Sequence, residues 1–308
     1  MKLLLSTVAL IALFNAITGH QATIPTKQLN DGNHIPTLAM GSFGFDDIPK
    51  MRQATLWAIE LGYRHIDTAA LYDNEQEIGK GIADAMKKGL VRREDLFVTT
   101  KLWNDKHARD QVVPALRESL SKLGLSYVDL YLIHSPSASN ADDSPADIDY
   151  LDTWKGMEEA KSLGLTKSIG VSNFDIEQID RIKANSQIVP AVNQIEVHPS
   201  NTREKLIADC FQRGIAVMAY SPFGFFVKRG EANRPGKDDP KMVSIAKKYN
   251  KSVTQVVLRY LLERDLIPIP KSTNKDRLKQ NIDVFDFHLT PEEVATISSF
   301  NTNTSIFD

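Results

Sequence analysis

The chain has 308 residues, of which 42% are hydrophobic, and a formal net charge of -2 at pH 7. A net charge this small predicts no nucleic-acid partner, because proteins that bind nucleic acids present strongly basic surfaces. The one cysteine, Cys210, excludes an intramolecular disulfide and a zinc site built from cysteines, and no metal site is predicted.

The amino terminus has the layout of a secretory signal peptide. Met1 and Lys2 precede an apolar run at 3–14, and small and polar residues follow up to His20. This run is shorter than the roughly 20 residues that a membrane-spanning helix needs. We therefore predict a signal peptide over 1–19 and a secreted protein that has no membrane partner after its removal. A disordered or interfacial extension is the alternative.

Past this segment, amphipathic helices alternate with short apolar strands. Asn30-Asp31-Gly32 is a strong turn signal and predicts a small hairpin before the first strand. Strands are predicted at 37–40, 63–67, 96–100, 128–133, 168–171, 191–194, 216–219 and 266–269. Helices are predicted at 48–61, 74–88, 109–123, 150–163, 176–183, 202–213, 241–249 and 253–264.

Alternating strands and helices are typical of a parallel sheet. No Gly-x-Gly-x-x-Gly follows the first strand, which argues against a doubly wound dinucleotide fold. The predicted fold class is therefore α/β, a (β/α)8 TIM barrel with an amino-terminal hairpin, formed by 20–308 as a single domain. A long loop at 223–240 is expected either to close over a ligand or to be a surface excursion.

Four reactive side chains lie at or just after the ends of three successive predicted strands. Asp67, Lys101 and His134 end three of them, and Tyr72 lies just after the first. Since strand ends meet at the active face of a barrel, all four are expected to share one pocket. There Lys101 would lower the pKa of Tyr72, Asp67 would hold Lys101, and His134 would donate a hydrogen bond to a carbonyl oxygen. This set predicts a proton donor for an oxygen that becomes negative during reduction.

Reduction also needs a hydride, which no side chain supplies, so a cofactor is expected. Lys271 and Arg277 form a basic cluster after the last strand, where barrels often bind phosphate. Two cations suit a 2′-phosphate and favour NADPH over NADH. Tyr220 is expected to stack on the nicotinamide, and Asn173 and Gln194 to hold its carboxamide.

Five stretches in chain order resemble the signatures of the aldo-keto reductases. They are Asp67-Thr68-Ala69-x-x-Tyr72-x-Asn74-Glu75, Thr99-Thr100-Lys101-Leu102-Trp103, Leu132-Ile133-His134-Ser135-Pro136, Gly170-Val171-Ser172-Asn173-Phe174 and Ile269-Pro270-Lys271-Ser272. The resemblance runs from about residue 27 to 300, so it covers nearly the whole chain after the leader.

The resemblance implies a barrel that binds extended NADPH and a catalytic set of Asp67, Tyr72, Lys101 and His134. The cofactor contacts that it implies are Gly41, Ser42, Ser172, Asn173, Gln194, Tyr220, Ser221, Phe223, Lys271, Ser272, Asn274, Arg277, Gln280 and Asn281. The substrate contacts that it implies are Phe43, Trp103 and His134. The partner is a small-molecule carbonyl compound, and the protein is expected to be a monomer.

Some positions depart from the family pattern. Gly41-Ser42-Phe43-Gly44 stands where many members have Gly-Thr-Trp-Lys, Gln280 stands where a Glu is common, and the carboxyl tail at 301–308 is short. The leader and the short tail resemble those of secreted insect reductases of 3-dehydroecdysteroids. This narrower likeness favours a ketosteroid substrate.

Three other functions stay open at this stage. The first is a broad-specificity aldehyde or aldose reductase for detoxification, and the second is a non-catalytic NADPH-binding barrel. The third is a secreted glycoside hydrolase, which needs a second acid near Asp67, and Glu196 is the candidate.

Overall fold

The structure is a computed structural model that describes residues 24–227 and 236–307. The predicted signal peptide over 1–19 and the middle of the long loop lie outside the described residues. The predicted amino-terminal hairpin is present, with β1 (Thr26–Gln28) and β2 (His34–Pro36) antiparallel. Its turn packs against the barrel, because the Asn33 amide donates to Ser168 Oγ in a strand (3.0 Å) and the Asn30 amide donates to the Pro190 carbonyl in the segment before the next strand (2.9 Å).

Eight parallel strands then form a single sheet in sequence order. They are β3 (Met40–Gly41), β4 (His65–Asp67), β5 (Phe97–Leu102), β6 (Val128–Ile133), β7 (Thr166–Ser172), β8 (Val192–Glu196), β9 (Ala216–Tyr220) and β10 (Ile267–Pro268). The first and last of them meet, because the Ala39 amide donates to the Pro268 carbonyl (3.1 Å) and the Gly41 amide to the Pro270 carbonyl (3.0 Å). The predicted (β/α)8 barrel is confirmed.

Helices surround this sheet. They are α1 (Met51–Glu60), α2 (Glu75–Lys87), α3 (Arg109–Leu123), α4 (Tyr150–Ser162), α5 (Ile176–Asn185), α6 (Glu204–Gln212), α7 (Pro240–Lys248), α8 (Val253–Glu263), α9 (Lys275–Ile282) and α10 (Pro291–Ser298). The helix predicted at 48–61 begins instead as a 3-10 helix, Phe45–Lys50, which contains Pro49. Proline has no amide hydrogen to donate to the preceding turn, so the α-helix starts after it.

Sequence reasoning missed α9 and α10. Within α9 only Leu278, Asn281 and Ile282 are buried, so the apolar stripe that normally reveals a helix is almost absent. The helix predicted at 202–213 starts two residues late, at Glu204, because Arg203 has a left-handed backbone with φ of 49°.

The apolar core has two layers, as a barrel requires. Buried side chains such as Leu130 and Met218 fill the interior of the barrel. A larger layer of buried apolar side chains lies between the strands and the helices. Over the ranges that the structure describes, no helix has the length and apolar character needed to cross a membrane. In these same ranges, no group of three or more His, Cys, Asp or Glu side chains is placed to hold a metal ion.

Candidate active site

The four predicted reactive residues meet at the carboxyl end of the barrel. Asp67 ends β4, Lys101 is the fifth residue of β5, and His134 follows β6 directly. Tyr72 ends a short 3-10 turn, Ala70–Tyr72, that leads away from β4. Parallel pairing of β4, β5 and β6 puts these positions at neighbouring strand ends. The four side chains therefore lie together as strand order predicts, but only Asp67, Tyr72 and His134 line the cavity, and Lys101 does not.

Lys101 lies at the centre of this group and is fully buried. Its ammonium donates to Asp67 Oδ1 at 2.7 Å, to the Thr68 carbonyl at 3.0 Å and to the Tyr72 hydroxyl oxygen at 3.1 Å. All three hydrogens of the ammonium thus have an acceptor. The second carboxylate oxygen of Asp67 accepts from the Gln194 amide at 2.8 Å.

Burial and the neighbouring charges shift the pKa values of Lys101 and Tyr72 in opposite directions. Burial lowers the pKa of Lys101, but Asp67 and Tyr72 outweigh it, and the pKa ends above its ordinary value. For Tyr72 burial is the largest influence and raises the pKa, while the Lys101 charge lowers it. The net pKa of Tyr72 is raised, so the predicted lowering by Lys101 occurs but is not decisive. Tyr72 therefore keeps its proton at neutral pH.

His134 is held neutral beside these charges. Its burial and the Lys101 charge place its pKa well below the ordinary value. Its ring packs edge-on against Tyr72, with centroids 5.6 Å apart, and against Trp103 at 5.0 Å. A neutral imidazole donates one hydrogen bond, which is what the orientation of a carbonyl oxygen needs.

A cavity of about 470 Å³ opens in front of Tyr72 and His134. Lys101 lies behind its wall. Most of the predicted contacts line it, namely Gly41, Ser42, Phe43, Asp67, Tyr72, Trp103, His134, Ser172, Asn173, Gln194, Tyr220, Ser221, Phe223 and Lys271. Sequence reasoning missed Leu71, Asn104, Ser135, Pro222, Gly224, Val227, Ile269, Ile306 and Phe307. The sequence analysis noted that the carboxyl tail is short, but no pattern singled out Ile306 or Phe307.

The polar side of this cavity is a connected group of amides and hydroxyls. Asn173, whose φ is 62°, donates from its side chain to the His134 carbonyl at 2.9 Å. It accepts from the Tyr220 hydroxyl at 2.8 Å. Ser172 donates to the Gln194 carbonyl at 2.8 Å. These contacts tie the ends of β6, β7, β8 and β9 together and give a rigid surface beside the reactive group.

The predicted adenosine end lies on the segment after β10 and on α9. Ser272 and Asn281 are buried, whereas Asn274, Arg277 and Gln280 are exposed. Asn274 also caps α9 by accepting from the Arg277 amide at 3.0 Å. These five residues do not line the central cavity but continue from Lys271 along the surface, as an extended cofactor requires.

Lys271 forms an ion pair that the sequence did not reveal. Its ammonium contacts the Asp47 carboxylate, and this hydrogen bond is the main reason that the pKa of Asp47 is lowered to about 2. Gly44 lies over the pair, since a Cβ there would be 2.8 Å from Lys271 Nζ. The missing family lysine at Gly44 thus coincides with a position beside this ion pair, where the backbone has a φ of 153°.

The glycoside hydrolase alternative does not fit the cavity. Among the described residues that line it, Asp67 is the only one with a carboxylate. Glu196 lies outside that lining, and its carboxylate accepts hydrogen bonds from Ser305 and the Ile306 amide, both at 2.7 Å. Glycosidases need two acids across one sugar bond, and this pair is absent from the cavity that the structure describes.

Comparison with known proteins agrees with the geometry. A family model described as the aldo/keto reductase family matches residues 38–302. The silkworm (Bombyx mori) aldo-keto reductase AKR2E4 is 62% identical over 291 residues, which cover 92% of this chain and 94% of the relative. The Danio rerio aldo-keto reductase family 1 member A1-A is 44% identical and covers 90% of each chain.

Solved structures show the same likeness. The crystal structure of the silkworm AKR2E4 protein in complex with NADP matches with a TM-score of 0.90 at 61% identity, covering 93% of this chain and 96% of that one. The silkworm AKR2E5 protein complexed with NADPH matches with a TM-score of 0.89 at 43% identity, covering 92% and 89%.

Proposed function

This chain belongs to the aldo/keto reductase family, and from that premise we propose that Tyr72 delivers a proton to a ketone of steroid size. The family assignment makes the protein an NADPH-dependent oxidoreductase that acts on small-molecule carbonyl compounds. The proposal adds the roles of the residues in the cavity, the class of the ketone, and the place where the protein acts.

Tyr72 is the proposed general acid. It keeps its proton because burial raises its pKa, and its hydroxyl oxygen accepts from Lys101 at 3.1 Å. That contact stabilises the negative charge that the phenol oxygen acquires once its proton has left. Asp67 holds Lys101 charged and in place at 2.7 Å. His134 donates to the carbonyl oxygen and so fixes which face of the ketone meets the cofactor.

The donor set fits NADPH. Gln194, Asn173 and Ser172 present amide and hydroxyl groups beside Tyr72, and Tyr220 offers a ring for stacking. The other proposed contacts are Gly41, Ser42, Ser221, Phe223, Lys271, Ser272, Asn274, Arg277, Gln280 and Asn281. When bound, NADPH supplies the hydride that no side chain can supply. Arg277 and Lys271 give the adenosine end the cations that a 2′-phosphate needs.

The aromatic mouth of the cavity carries the substrate proposal. Phe43 is 41% exposed and Phe307 is 54% exposed, and their rings lie 6.1 Å apart. Val227, also 41% exposed, continues the same apolar edge, and Trp103 lines the inner wall. Large apolar side chains left exposed around a pocket indicate a ligand that covers them. A ketone with a large ring skeleton, such as a 3-dehydroecdysteroid, would cover this surface with its hydrocarbon rings, whereas a small polar sugar aldehyde would not.

We expect the purified protein to oxidise NADPH with 3-dehydroecdysone at low concentration, because the aromatic mouth binds the steroid skeleton. The assay follows NADPH absorbance with this ketone and, in parallel, with a simple aromatic aldehyde. Turnover of the aldehyde alone would contradict the steroid proposal and would indicate a broad-specificity detoxifying reductase. If NADPH binds but neither compound reacts, the non-catalytic barrel becomes the better account.

The proposed place of action is outside the cell. Lys2 and the apolar run at 3–14 have the pattern of a secretory signal. We expect the full chain, expressed in insect cells, to appear in the medium with an amino terminus near His20 and to elute as a monomer. A Leu10→Arg variant breaks the apolar run and is expected to stay inside the cells. Wild-type protein that remains intracellular with Met1 in place would contradict the proposal.

A further inference from the structure

The carboxyl tail (301–308), which the structure describes up to residue 307, forms one side of the substrate cavity. Ile306 is buried, Phe307 is half-exposed, and both line the cavity. The Phe307 ring lies 6.1 Å from that of Phe43 and 6.0 Å from that of Tyr220. Residues 302–307 form neither a helix nor a strand. Contacts with the barrel must therefore set the position of the tail.

Glu196 supplies the central contacts. It is the last residue of β8, it is only 5% exposed, and no step of the proposed reaction uses it. Its two carboxylate oxygens accept from the Ser305 hydroxyl and from the Ile306 amide, each at 2.7 Å. Glu196 lies two residues after Gln194, so both side chains leave the strand on the same face. Gln194 reaches the reactive group, and Glu196 reaches the tail.

A buried histidine completes this anchor. The Ser200 amide donates to His198 Nδ1 at 3.2 Å, which leaves the proton of a neutral ring on Nε2. Nε2 lies 2.9 Å from Glu196 Oε1 and donates to it. Burial raises the pKa of Glu196, but hydrogen bonds from His198, Ser305 and the Ile306 amide outweigh it and lower the pKa. The carboxylate is therefore ionised at neutral pH, and its hydrogen bonds are charge-assisted.

The tail is also fitted against the loop that follows β9. Gly224 begins the 3-10 turn Gly224–Phe226, and a Cβ on it would lie 2.6 Å from Ile306 Cδ1 and overlap the His198 ring. The Ser200 carbonyl accepts from the amides of Thr302 and Thr304, both at 3.1 Å. Displacing the tail would therefore open a gap beside the loop that carries Ser221 and Phe223.

We infer that Glu196 is a positioning residue for substrate, which acts by holding the tail so that Ile306 and Phe307 form a fixed wall. A bulky apolar carbonyl compound contacts that wall, whereas a short aldehyde that reaches only Tyr72 and His134 does not. Glu196 thus sets the affinity for large substrates without taking part in the chemistry. The kinetic part of the test depends on the reductase reaction that Proposed function describes.

The test is a Glu196→Gln variant, assayed with 2-naphthaldehyde and with propanal. Glutamine has one side-chain oxygen instead of two, and its amide nitrogen must face another donor. We expect the KM for 2-naphthaldehyde to rise about tenfold, with kcat for both aldehydes and the KM for propanal within about twofold. Hydrogen exchange of the 301–308 peptide should become faster, because the Ile306 amide loses its charged acceptor.

Two further variants make the result decisive. Ser305→Ala removes one donor and is expected to shift the same KM in the same direction by less. Glu293→Gln is the matched control, because Glu293 accepts from Tyr249 and Lys248 and none of these three residues lines the cavity. It should change neither the KM values nor the exchange of the tail. Unchanged tail exchange in Glu196→Gln, or an equal loss of kcat with both aldehydes, would overturn the inference. Neither probe is a steroid, so failure of the steroid proposal would leave this test intact.

Discussion

Replacing Tyr72 with Phe is expected to lower kcat for carbonyl reduction about 100- to 10,000-fold, the range typical of losing a general acid. The change removes one oxygen, the one to which Lys101 donates at 3.1 Å, and leaves the ring that packs against Phe43 and His134. NADPH binding should persist, with its Kd within about twofold of wild type, because the other cavity contacts are untouched. Steady-state NADPH oxidation and a fluorescence titration measure the two quantities.

Tyr131→Phe is the matched control. Tyr131 is fully buried in β6, but it does not line the cavity of Tyr72. Loss of the Tyr131 hydroxyl should leave kcat close to the wild-type value. The pH profile adds a second check, because burial raises the pKa of Tyr72 above its ordinary value. Wild-type reduction should therefore persist through the pH range in which an ordinary tyrosine hydroxyl ionises, and decline only at higher pH as Tyr72 loses its proton. A Tyr72→Phe variant that keeps most of its kcat would remove Tyr72 from its proposed role.

Replacing Lys101 with Met is expected to damage both activity and stability. The Asp67 carboxylate would stay buried, with the Gln194 amide as its remaining side-chain donor. Removing one partner of a buried ion pair typically costs about 3 to 5 kcal/mol of the free energy of unfolding. Because the cation beside Tyr72 disappears, kcat should also fall about 100-fold or more. Urea unfolding and steady-state kinetics measure these two effects.

The double variant Asp67→Asn/Lys101→Met separates the two effects. With both charges gone, most of the lost stability should return, because no ion is left buried without a partner. Activity should stay low, because Tyr72 still lacks its cation. Lys161→Met is the control, since Lys161 pairs with Asp31 in a partly exposed site, where an ion pair contributes about 1 kcal/mol or less. Recovery of kcat in the double variant would contradict the role given to Lys101.

The barrel and the reactive group could be predicted because their signals are local. Each strand is a short apolar run, and the residue at its end follows it directly in the chain, as with Asp67 and His134. Parallel pairing in sequence order then brings these ends together without further information. The basic residues Lys271 and Arg277, which follow the last strand, indicated NADPH by the same kind of reasoning. The absence of a Gly-x-Gly-x-x-Gly argued only against a doubly wound fold.

Segments whose position depends on distant contacts were harder to read. Helix α9 has few buried residues, so its periodicity is weak, and the ion pair of Asp47 with Lys271 joins residues from opposite ends of the chain. The sign of the pKa shift of Tyr72 also could not be read from residue types. It depends on burial, which in this site outweighs the neighbouring Lys101 charge.

The sequence by itself was therefore sufficient for the fold class, for NADPH and for the expectation that Asp67, Tyr72, Lys101 and His134 lie together, because the residues that end each strand follow it directly in the chain. The catalytic roles of these four residues stay a prediction. The wall that faces the substrate was decided only when the chain folded. Ile306 and Phe307 reach the cavity because Glu196 accepts hydrogen bonds from Ser305 and Ile306, which lie 109 and 110 residues further along the chain. No period or motif in a sequence encodes a contact of that range, since it arises from packing in three dimensions.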